Sequence, residues 1–119
     1  MKKVLITGIT GMVGSHLVDH LLKKTNWKIF GACRWRSPLD NIGHLSKIIN
    51  QKNRLYLNYM DLTDYSSVYE CLKQVKPDFI FHLAAQPLVN VSYEKPLETW
   101  KSNLIGTINI LESMRYLKK

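Results

Sequence analysis

The stretch Thr7–Gly14 (TGITGMVG) decides how this 119-residue chain begins to fold. It follows a short apolar run, Val4–Ile6, and opens an amphipathic segment that reaches Lys24. A strand, a glycine-rich turn and a helix in this order form the first unit of a dinucleotide-binding α/β fold. The helix is predicted from apolar residues at helical spacing, namely Val13, Leu17, Val18, Leu21 and Leu22.

The three glycines of this turn are predicted to have separate roles. Gly8 allows the sharp turn, Gly11 lets the backbone approach a diphosphate, and Gly14 lets the helix lie close against the strand. The free N–H groups at the start of the helix carry partial positive charge, which favours an anion there. The alternative is a tight glycine turn without a ligand.

Composition indicates one globular domain with one modest core, because 45% of the residues are hydrophobic and 22% are charged. No apolar run reaches membrane-spanning length and no secretory signal is present, so we expect a cytoplasmic protein without a membrane partner. Cys33 and Cys71 are far apart, with no His or Cys at metal-ligand spacing. We therefore expect reduced, buried cysteines and no metal site.

The formal net charge of +8 is compatible with a nucleic-acid partner. The basic residues are scattered, however, and most are lysines near predicted helix ends. No arginine-rich run or recognition helix accompanies them. We therefore expect no nucleic-acid partner, and we attribute the charge to an anionic cofactor and to a solvated basic surface.

Strands and helices alternate along the rest of the chain. The predicted elements are a strand at Lys28–Cys33, a weak helix at Leu39–Asn50 capped by Asp40, a strand at Arg54–Tyr59, a helix that Asp64 caps and Pro77 ends, a buried strand at Asp78–Leu83 and a long helix from Pro96. The last helix carries on one face Leu97, Trp100, Leu104, Ile108, Leu111 and Met114. This alternation predicts an α/β fold, a partial Rossmann fold. Its parallel sheet has about four strands in the order 3-2-1-4, with helices on both faces and a ligand crevice between strands one and four.

The fourth strand of such a sheet is an apolar edge. Exposed apolar edges invite pairing with another chain. We therefore expect a homodimer or higher oligomer, formed through the fourth-strand edge or the last helix.

The residues after the second strand favour NADP over NAD. NAD-binding versions place an acidic residue there to accept from the ribose hydroxyls. This chain has Arg34 and Arg36 instead, and its next acid is Asp40. Two guanidinium groups would hold a 2′-phosphate through charge-assisted hydrogen bonds. The alternative is that both arginines are merely exposed cations.

Two further strand ends carry candidate site residues. Asp61 follows the third strand, where it can accept from an adenine amino group while Leu62 packs on the ring; Asp61 can also cap a turn, and both readings can hold together. His82 ends the fourth strand and is predicted to make a local hydrogen bond rather than to bind a metal.

The motifs together resemble the extended short-chain dehydrogenase/reductases, the nucleotide-sugar epimerases and dehydratases. They cover essentially the whole chain: Thr7–Gly14, Asp61-Leu62, His82–Gln86, Val89–Tyr93, Ser102–Thr107 and Leu111-Glu112. Within this family, Arg34–Ser37 with Ala85-Gln86 is most similar to the GDP-mannose 4,6-dehydratases, followed by the CDP-glucose 4,6-dehydratases.

The resemblance implies a role for each matching position. The diphosphate would lie on the loop residues Gly8, Thr10, Gly11, Met12, Val13 and Gly14. The 2′-phosphate would meet Arg34 and Arg36, and adenine would meet Asp61 and Leu62. The nicotinamide ribose would be lined by Leu83, Ala84 and Ala85. The substrate side would contain Gln86, Ser92 and Asn103, of which Asn103 matches the family's helix asparagine.

The resemblance also implies that the catalytic Ser or Thr, Tyr and Lys lie beyond the last helix, so no catalytic residue is assigned here. Tyr69 and Lys73 have the Tyr-x-x-x-Lys spacing, but they are predicted to be surface residues of the helix after Asp64. We expect residues 1–119 to form a single, truncated dinucleotide-binding domain without the sugar-binding part. It would be the NADP-binding amino-terminal portion of a nucleotide-sugar 4,6-dehydratase or epimerase, inactive alone, with the nucleotide sugar left open. The alternative is a stand-alone, non-catalytic half-Rossmann module that binds nucleotides or oligomerises.

Overall fold

The computed structural model describes residues 1–34, 39–46, 49, 54–84 and 93–118. Its elements in chain order are β1 (Lys3–Thr7), α1 (Met12–Lys24), β2 (Lys28–Cys33), a 3₁₀ helix (Asp40–Leu45), β3 (Leu55–Tyr59), α2 (Tyr65–Val75), β4 (Phe79–His82), α3 (Pro96–Trp100), a π turn (Lys101–Ile105) and α4 (Gly106–Leu117). The predicted alternation of strands and helices is confirmed.

The four strands form one parallel sheet in the predicted order β3-β2-β1-β4. Leu5, in the middle of β1, pairs with Phe30 of β2 on one side and with Ile80 of β4 on the other. At the carboxyl end of the sheet, Thr7 pairs with His82. The ends of β1 and β4 therefore lie side by side, where the glycine-rich loop leaves β1.

Each face of the sheet has its own apolar core. On one face, Val18 and Leu21 of α1 belong to a buried cluster with Val4, Ile6 and Ile29. Each such side chain contributes about 1.5–3 kcal/mol when it is fully buried. These contacts hold α1, and with it the glycine-rich loop, against the sheet.

Helices α2 and α4 cover the opposite face. Val68 and Leu72 of α2 and Ile110 of α4 are buried in a cluster with Leu5 and Ala32 of the sheet. The prediction of helices on both faces is confirmed. Cys33 and Cys71 are free and buried, as predicted. Burial raises the pKa of both thiols, which keeps them protonated at neutral pH.

Helix α2 begins at the cap that the sequence predicts. The Asp64 side chain accepts a hydrogen bond of 3.0 Å from the Ser66 amide. The helix ends at Lys76, which has a left-handed backbone (φ 52°), directly before Pro77. The cap satisfies one of the amides that have no acceptor within the helix.

We expect Asp64→Ala to lower the free energy of unfolding by about 1 kcal/mol, because the Ser66 amide loses its acceptor. Urea unfolding followed by circular dichroism measures this change. Asp64→Asn is the control, since its side-chain oxygen caps equally well, and it should lie within a few tenths of a kcal/mol of the parent chain. Equal losses in the two variants would contradict the assignment of this cap.

The predicted helix at Leu39–Asn50 is wrong in type and extent over the residues that the structure describes. A 3₁₀ helix spans Asp40–Leu45, and its N-cap is Leu39 rather than Asp40. Gly43 lies within it and disfavours a regular α-helix. Ile49 instead forms a β-bridge with Leu55, so the end of this segment already approaches β3.

Strand β4 is only partly buried, although its apolar sequence predicts a buried strand. Phe79 and Phe81 point to the face that carries α1 and are 44% and 39% exposed. Helix α1 covers the neighbouring strands, and Trp27 stacks on Phe79 with ring centroids 5.2 Å apart. Within the described ranges, β1 is the only strand that pairs with β4, so β4 is an edge strand, as predicted.

The last three elements form one continuous helix, residues 96–117, called the terminal helix below. Lys101 and Gly106, at the junctions, both have right-handed helical dihedrals. The predicted long helix from Pro96 is confirmed, while the π turn within it is a feature that the periodicity did not predict. Gly106 donates its amide to the Lys101 carbonyl five residues earlier. An added Cβ on Gly106 would lie 3.1 Å from the Leu62 Cβ, so glycine lets the helix approach the loop after β3.

The predicted apolar face of the terminal helix exists, but it points to solvent. Its exposed residues are Leu97, Trp100, Leu104, Ile108, Leu111 and Met114, at 42–75% exposure. The buried side of α4 instead consists of Gly106, Asn109, Ile110 and Ser113. None of the helices in the described part of the chain is long and apolar enough to cross a bilayer.

Candidate dinucleotide-binding site

The first glycine of the loop is required by two features of the backbone. Gly8 has φ +73°, in the left-handed region that side chains disfavour. An added Cβ would also lie 2.8 Å from the Ala84 nitrogen. The loop therefore turns sharply at Gly8, as predicted, and touches the chain as it leaves β4.

The other two glycines hold the loop and the helix together. An added Cβ on Gly14 would lie 2.2 Å from the Gly8 carbonyl oxygen, so Gly14 packs against the loop backbone rather than against the strand itself. Gly11 donates its amide to the same oxygen at 3.0 Å. It is the N-cap of α1, and an added Cβ there would lie 3.3 Å from the Gly8 oxygen.

The amino terminus of α1 has the character of an anion site. Gly11 has no side chain to cap the helix, and no acidic residue lies in the first turn. The first intrahelical acceptor is the Gly11 carbonyl, which takes the Ser15 amide at 3.0 Å. The amides before Ser15 have no acceptor within the helix, and Met12 and Val13 are 71% and 60% exposed. These amides and the helix dipole favour a negative group.

The 3₁₀ helix closes one side of this loop. Asn41 donates its side-chain amide to the Thr10 carbonyl at 2.9 Å, and His44 pairs with Asp19 of α1 at 2.8 Å. Ile42 is buried beneath them. Sequence reasoning missed Asn41, because a contact across 31 residues leaves no periodic signal. Asn41 therefore holds the Thr10 carbonyl, which belongs to the glycine-rich loop, in place.

Arg34 is the predicted 2′-phosphate residue that the structure describes. It follows directly after β2 and is exposed. Arg36, predicted to share this role, lies outside the described residues. No acidic residue lies between the end of β2 and Asp40 in the sequence. The strand end therefore has the positive charge that a phosphate prefers.

Asp61 and Leu62 follow β3, and their predicted turn is present. Asp61 Oδ1 accepts from the Thr63 amide at 3.0 Å and from the Thr63 hydroxyl at 2.7 Å. The half-buried Leu62 lies under Gly106, and its carbonyl accepts from the Asn109 side chain at 2.7 Å. Asn109 thus ties this loop to α4, a link that sequence reasoning missed. The adenine contacts of Asp61 and Leu62 stay predictions.

The end of β4 is fastened to Thr7. The Leu83 amide donates to the Thr7 carbonyl at 3.2 Å, and the Ala84 amide donates to the Thr7 hydroxyl at 3.1 Å. Leu83 is 38% exposed beside the loop. Three predicted residues, Ala85, Gln86 and Ser92, lie outside the described ranges.

His82 makes the local hydrogen bonds that its position predicts. Its Nδ1 lies 2.6 Å from the Thr7 hydroxyl, and its Nε2 lies 3.0 Å from the Thr107 hydroxyl. Burial lowers the pKa of His82, which keeps the ring neutral at pH 7. Thr107 was missed by sequence reasoning because its role depends on a residue 25 positions away.

Asn103 lies in the π turn, where its carbonyl accepts from the Thr107 hydroxyl at 2.8 Å. It lines a shallow groove of about 290 Å³ with Thr99, Trp100 and Leu104. Asn103 is therefore connected through Thr107 and His82 to the end of β4. A π turn inside an α-helix is frequently found at functional sites.

Lys73 lies away from this crevice and is exposed, as predicted, while Tyr69, one turn earlier in α2, is half-buried. Lys73 lines a cavity of about 560 Å³ with Asp78, which stands directly before β4. In a parallel sheet this is the end opposite the glycine-rich loop. No group of His, Cys, Asp or Glu suited to a metal occurs among the residues that the structure describes.

Comparisons with known proteins identify the family. The family model described as GDP-mannose 4,6 dehydratase matches residues 5–119. A GDP-mannose 4,6-dehydratase of Yersinia enterocolitica is 40% identical over 118 residues, which are 97% of this chain and 32% of that protein. A CDP-glucose 4,6-dehydratase of Salmonella typhimurium is 34% identical over 116 residues, or 96% of this chain and 31% of that protein.

A solved structure gives the same result for the fold. The crystal structure of UDP-glucose 4-epimerase from Thermus thermophilus in complex with NAD has a TM-score of 0.79 and 29% identity. The match covers 96% of this chain and 34% of the epimerase chain. The chain spans about a third of the length of these relatives, and it matches their amino-terminal region. The fold is of the Rossmann type, and the chain belongs to the GDP-mannose 4,6-dehydratase family, within the extended short-chain dehydrogenase/reductases.

Proposed function

We propose that residues 1–119 are the NADP-binding amino-terminal portion of a nucleotide-sugar 4,6-dehydratase, inactive alone. The observation that carries this proposal is the uncapped start of α1, where amides without an acceptor in the helix meet a loop that only glycine can form at Gly8 and Gly14. A dinucleotide diphosphate is the anion that such a loop accommodates. The resemblance implies that the catalytic Ser or Thr, Tyr and Lys lie beyond the last helix, so we assign no catalytic role to the residues that the structure describes.

Arg34 supports NADP as the cofactor rather than NAD. The side chain is exposed after β2, on the side of the loop where the adenosine ribose would lie. A guanidinium forms charge-assisted bonds with a 2′-phosphate, whereas it has no such partner on a free 2′-hydroxyl. Arg36 would add a second contact. Discrimination between the two cofactors therefore depends on this strand end.

Calorimetric titration of the purified chain with NADPH and NADH tests both proposals. We expect Arg34→Ala to weaken NADPH binding by roughly tenfold to a hundredfold, because a charged hydrogen bond contributes about 1.5–3 kcal/mol. NADH binding should change by less than about twofold. Lys24→Ala is the matched control, since it removes one positive charge at the far end of α1 and should leave both affinities unchanged.

Two results of this titration would contradict the proposals. Equal weakening of NADPH and NADH in Arg34→Ala would contradict the 2′-phosphate contact. Absence of binding by either cofactor, in a chain that circular dichroism shows to be folded, would contradict the cofactor-binding function. GDP-mannose and CDP-glucose in the same titration determine whether a nucleotide sugar binds without the remaining two-thirds of the relatives' length.

A second function is supported by the exposed apolar face of the terminal helix. We propose that the chain assembles with a second copy of itself through this face, or through the open edge of β4. Monomers rarely expose a continuous apolar stripe of this length. A non-catalytic module that oligomerises would use the same surface without binding a cofactor. The mass of surface variants in solution separates the two surfaces, and the NADPH titration separates a cofactor-binding chain from a module that only oligomerises.

A further inference from the structure

His82 stands where three segments of the chain meet. Its ring lies between Thr7, at the end of β1, and Thr107, in the first turn of α4. Each threonine hydroxyl contacts a different ring nitrogen. The ring is half-buried, and both of its nitrogens are used.

The hydroxyl protons determine the tautomer of His82. Thr107 donates its single hydroxyl proton to the Asn103 carbonyl at 2.8 Å. It can therefore only accept from His82, so Nε2 carries the proton. Nδ1 is then an acceptor, and the Thr7 hydroxyl donates to it while accepting from the Ala84 amide at 3.1 Å. One continuous chain of hydrogen bonds runs from Ala84 to Asn103, and every donor in it has an acceptor.

Both ends of this chain lie in the candidate site. The Ala84 amide is the atom that an added Cβ on Gly8 would strike at 2.8 Å, so Ala84 rests directly on the loop. The Asn103 carbonyl belongs to the π turn. A displacement of the terminal helix at Thr107 would therefore change the hydrogen bonds of the His82 ring, and through Thr7 it would change the position of Ala84.

We propose that His82 is a positioning residue, which holds the Ala84 side of the glycine-rich loop and the Asn103 turn in one arrangement. The inference deepens the proposed function and rests on it, because that function assigns the glycine-rich loop to the cofactor and Asn103 to the substrate side. An imidazole is suited to this task since it is rigid, and its donor and acceptor nitrogens point in different directions.

The tautomer can be measured without any cofactor or variant. Nitrogen-15 spectra of the His82 ring in the whole 119-residue chain at pH 7.5 distinguish a proton on Nε2 from one on Nδ1. We expect the Nε2–H form. An Nδ1–H form, or a freely exchanging mixture, would overturn the proposal. Because the measurement uses the unliganded chain, it is independent of whether NADPH binds.

A double-mutant cycle tests whether the His82 ring couples Thr7 to Thr107. Thr7→Val and Thr107→Val each remove a hydroxyl while keeping the shape of the side chain. We expect their effects on the unfolding equilibrium constant to deviate from additivity by about twofold or more, as residues of one network do. In a His82→Phe background the same pair should be additive. Equal behaviour in both backgrounds would overturn the proposal.

The effect on the site is measured with NADPH. Thr107→Val should weaken NADPH binding by about threefold to tenfold, although Thr107 lies on a different element from the glycine-rich loop, and Thr107→Ser should restore it because serine supplies the same hydroxyl. Unchanged affinity in a folded Thr107→Val chain would overturn the coupling to the loop. If the parent chain does not bind NADPH, the proposed function fails, while the tautomer and the cycle still decide the role of His82.

Discussion

Replacing Gly14 with alanine is expected to abolish measurable NADPH binding, with a loss of at least about a hundredfold. The new Cβ would lie 2.2 Å from the Gly8 carbonyl oxygen and 2.9 Å from the Ile9 Cα. Both contacts are with backbone, so no side chain can rotate away. Helix α1 must shift from the loop, and overpacking of this kind costs about 1–3 kcal/mol in stability. The shift would also move the amides at the start of α1 away from the proposed position of the diphosphate.

The same substitution at Gly43 is the matched control. An added Cβ there meets nothing within 4 Å, and Gly43 has no positive φ. Gly43→Ala should therefore bind NADPH as the parent chain does and unfold at the same or a slightly higher temperature. Calorimetry and thermal unfolding of both variants give the comparison. NADPH binding of parent strength by Gly14→Ala would contradict the close packing of loop and helix.

Gly11→Ala keeps the experiment informative if Gly14→Ala does not fold. Its added Cβ would lie 3.3 Å from the Gly8 oxygen, a contact that a shift of a few tenths of an ångström relieves. The chain should remain folded, yet the methyl group would stand at the N-cap where the diphosphate is proposed to lie. We expect weaker NADPH binding, with a loss of stability of no more than about 1 kcal/mol because alanine is a poorer N-cap than glycine. Unchanged binding would place the diphosphate elsewhere.

The features predicted correctly are those that neighbouring residues determine. The turn at Gly8 follows from three glycines between an apolar run and an amphipathic segment, and the strand order follows from the topology of dinucleotide-binding folds. The cap at Asp64 depends only on the amide of Ser66, two residues later. The turn and the cap are determined by residues close together in the sequence, and the strand order is determined by a general rule of topology.

The features that sequence reasoning missed depend on distant partners. Asn41 meets the Thr10 carbonyl, Asn109 meets the Leu62 carbonyl, and Thr107 meets His82, across 25 to 47 residues. No periodicity reports such hydrogen bonds. The edge position of β4 was predicted, but the exposure of Phe79 and Phe81 was not. An apolar run predicts a strand that can be buried, while the elements packed against it decide whether its side chains are.

Substituting Ile108 with glutamate is expected to convert an oligomer of this chain into monomers. The terminal helix is about 33 Å long, and its exposed apolar residues recur every three or four positions from Leu97 to Leu111. This spacing makes one stripe along the helix, of the kind that packs against a second helix. In a symmetric dimer the stripe would meet its own copy. A glutamate in the middle would be buried without a partner, which weakens association by roughly a hundredfold or more.

Light scattering after size-exclusion chromatography measures the mass of each variant. Tyr116→Glu is the control, because Tyr116 is 58% exposed on another face of the same helix, and it should leave the mass unchanged. Phe81→Lys addresses the alternative surface on β4, where Phe81 is 39% exposed. Monomers from Phe81→Lys but not from Ile108→Glu would assign the contact to β4. A parent chain that is monomeric at every concentration would contradict self-association through either surface.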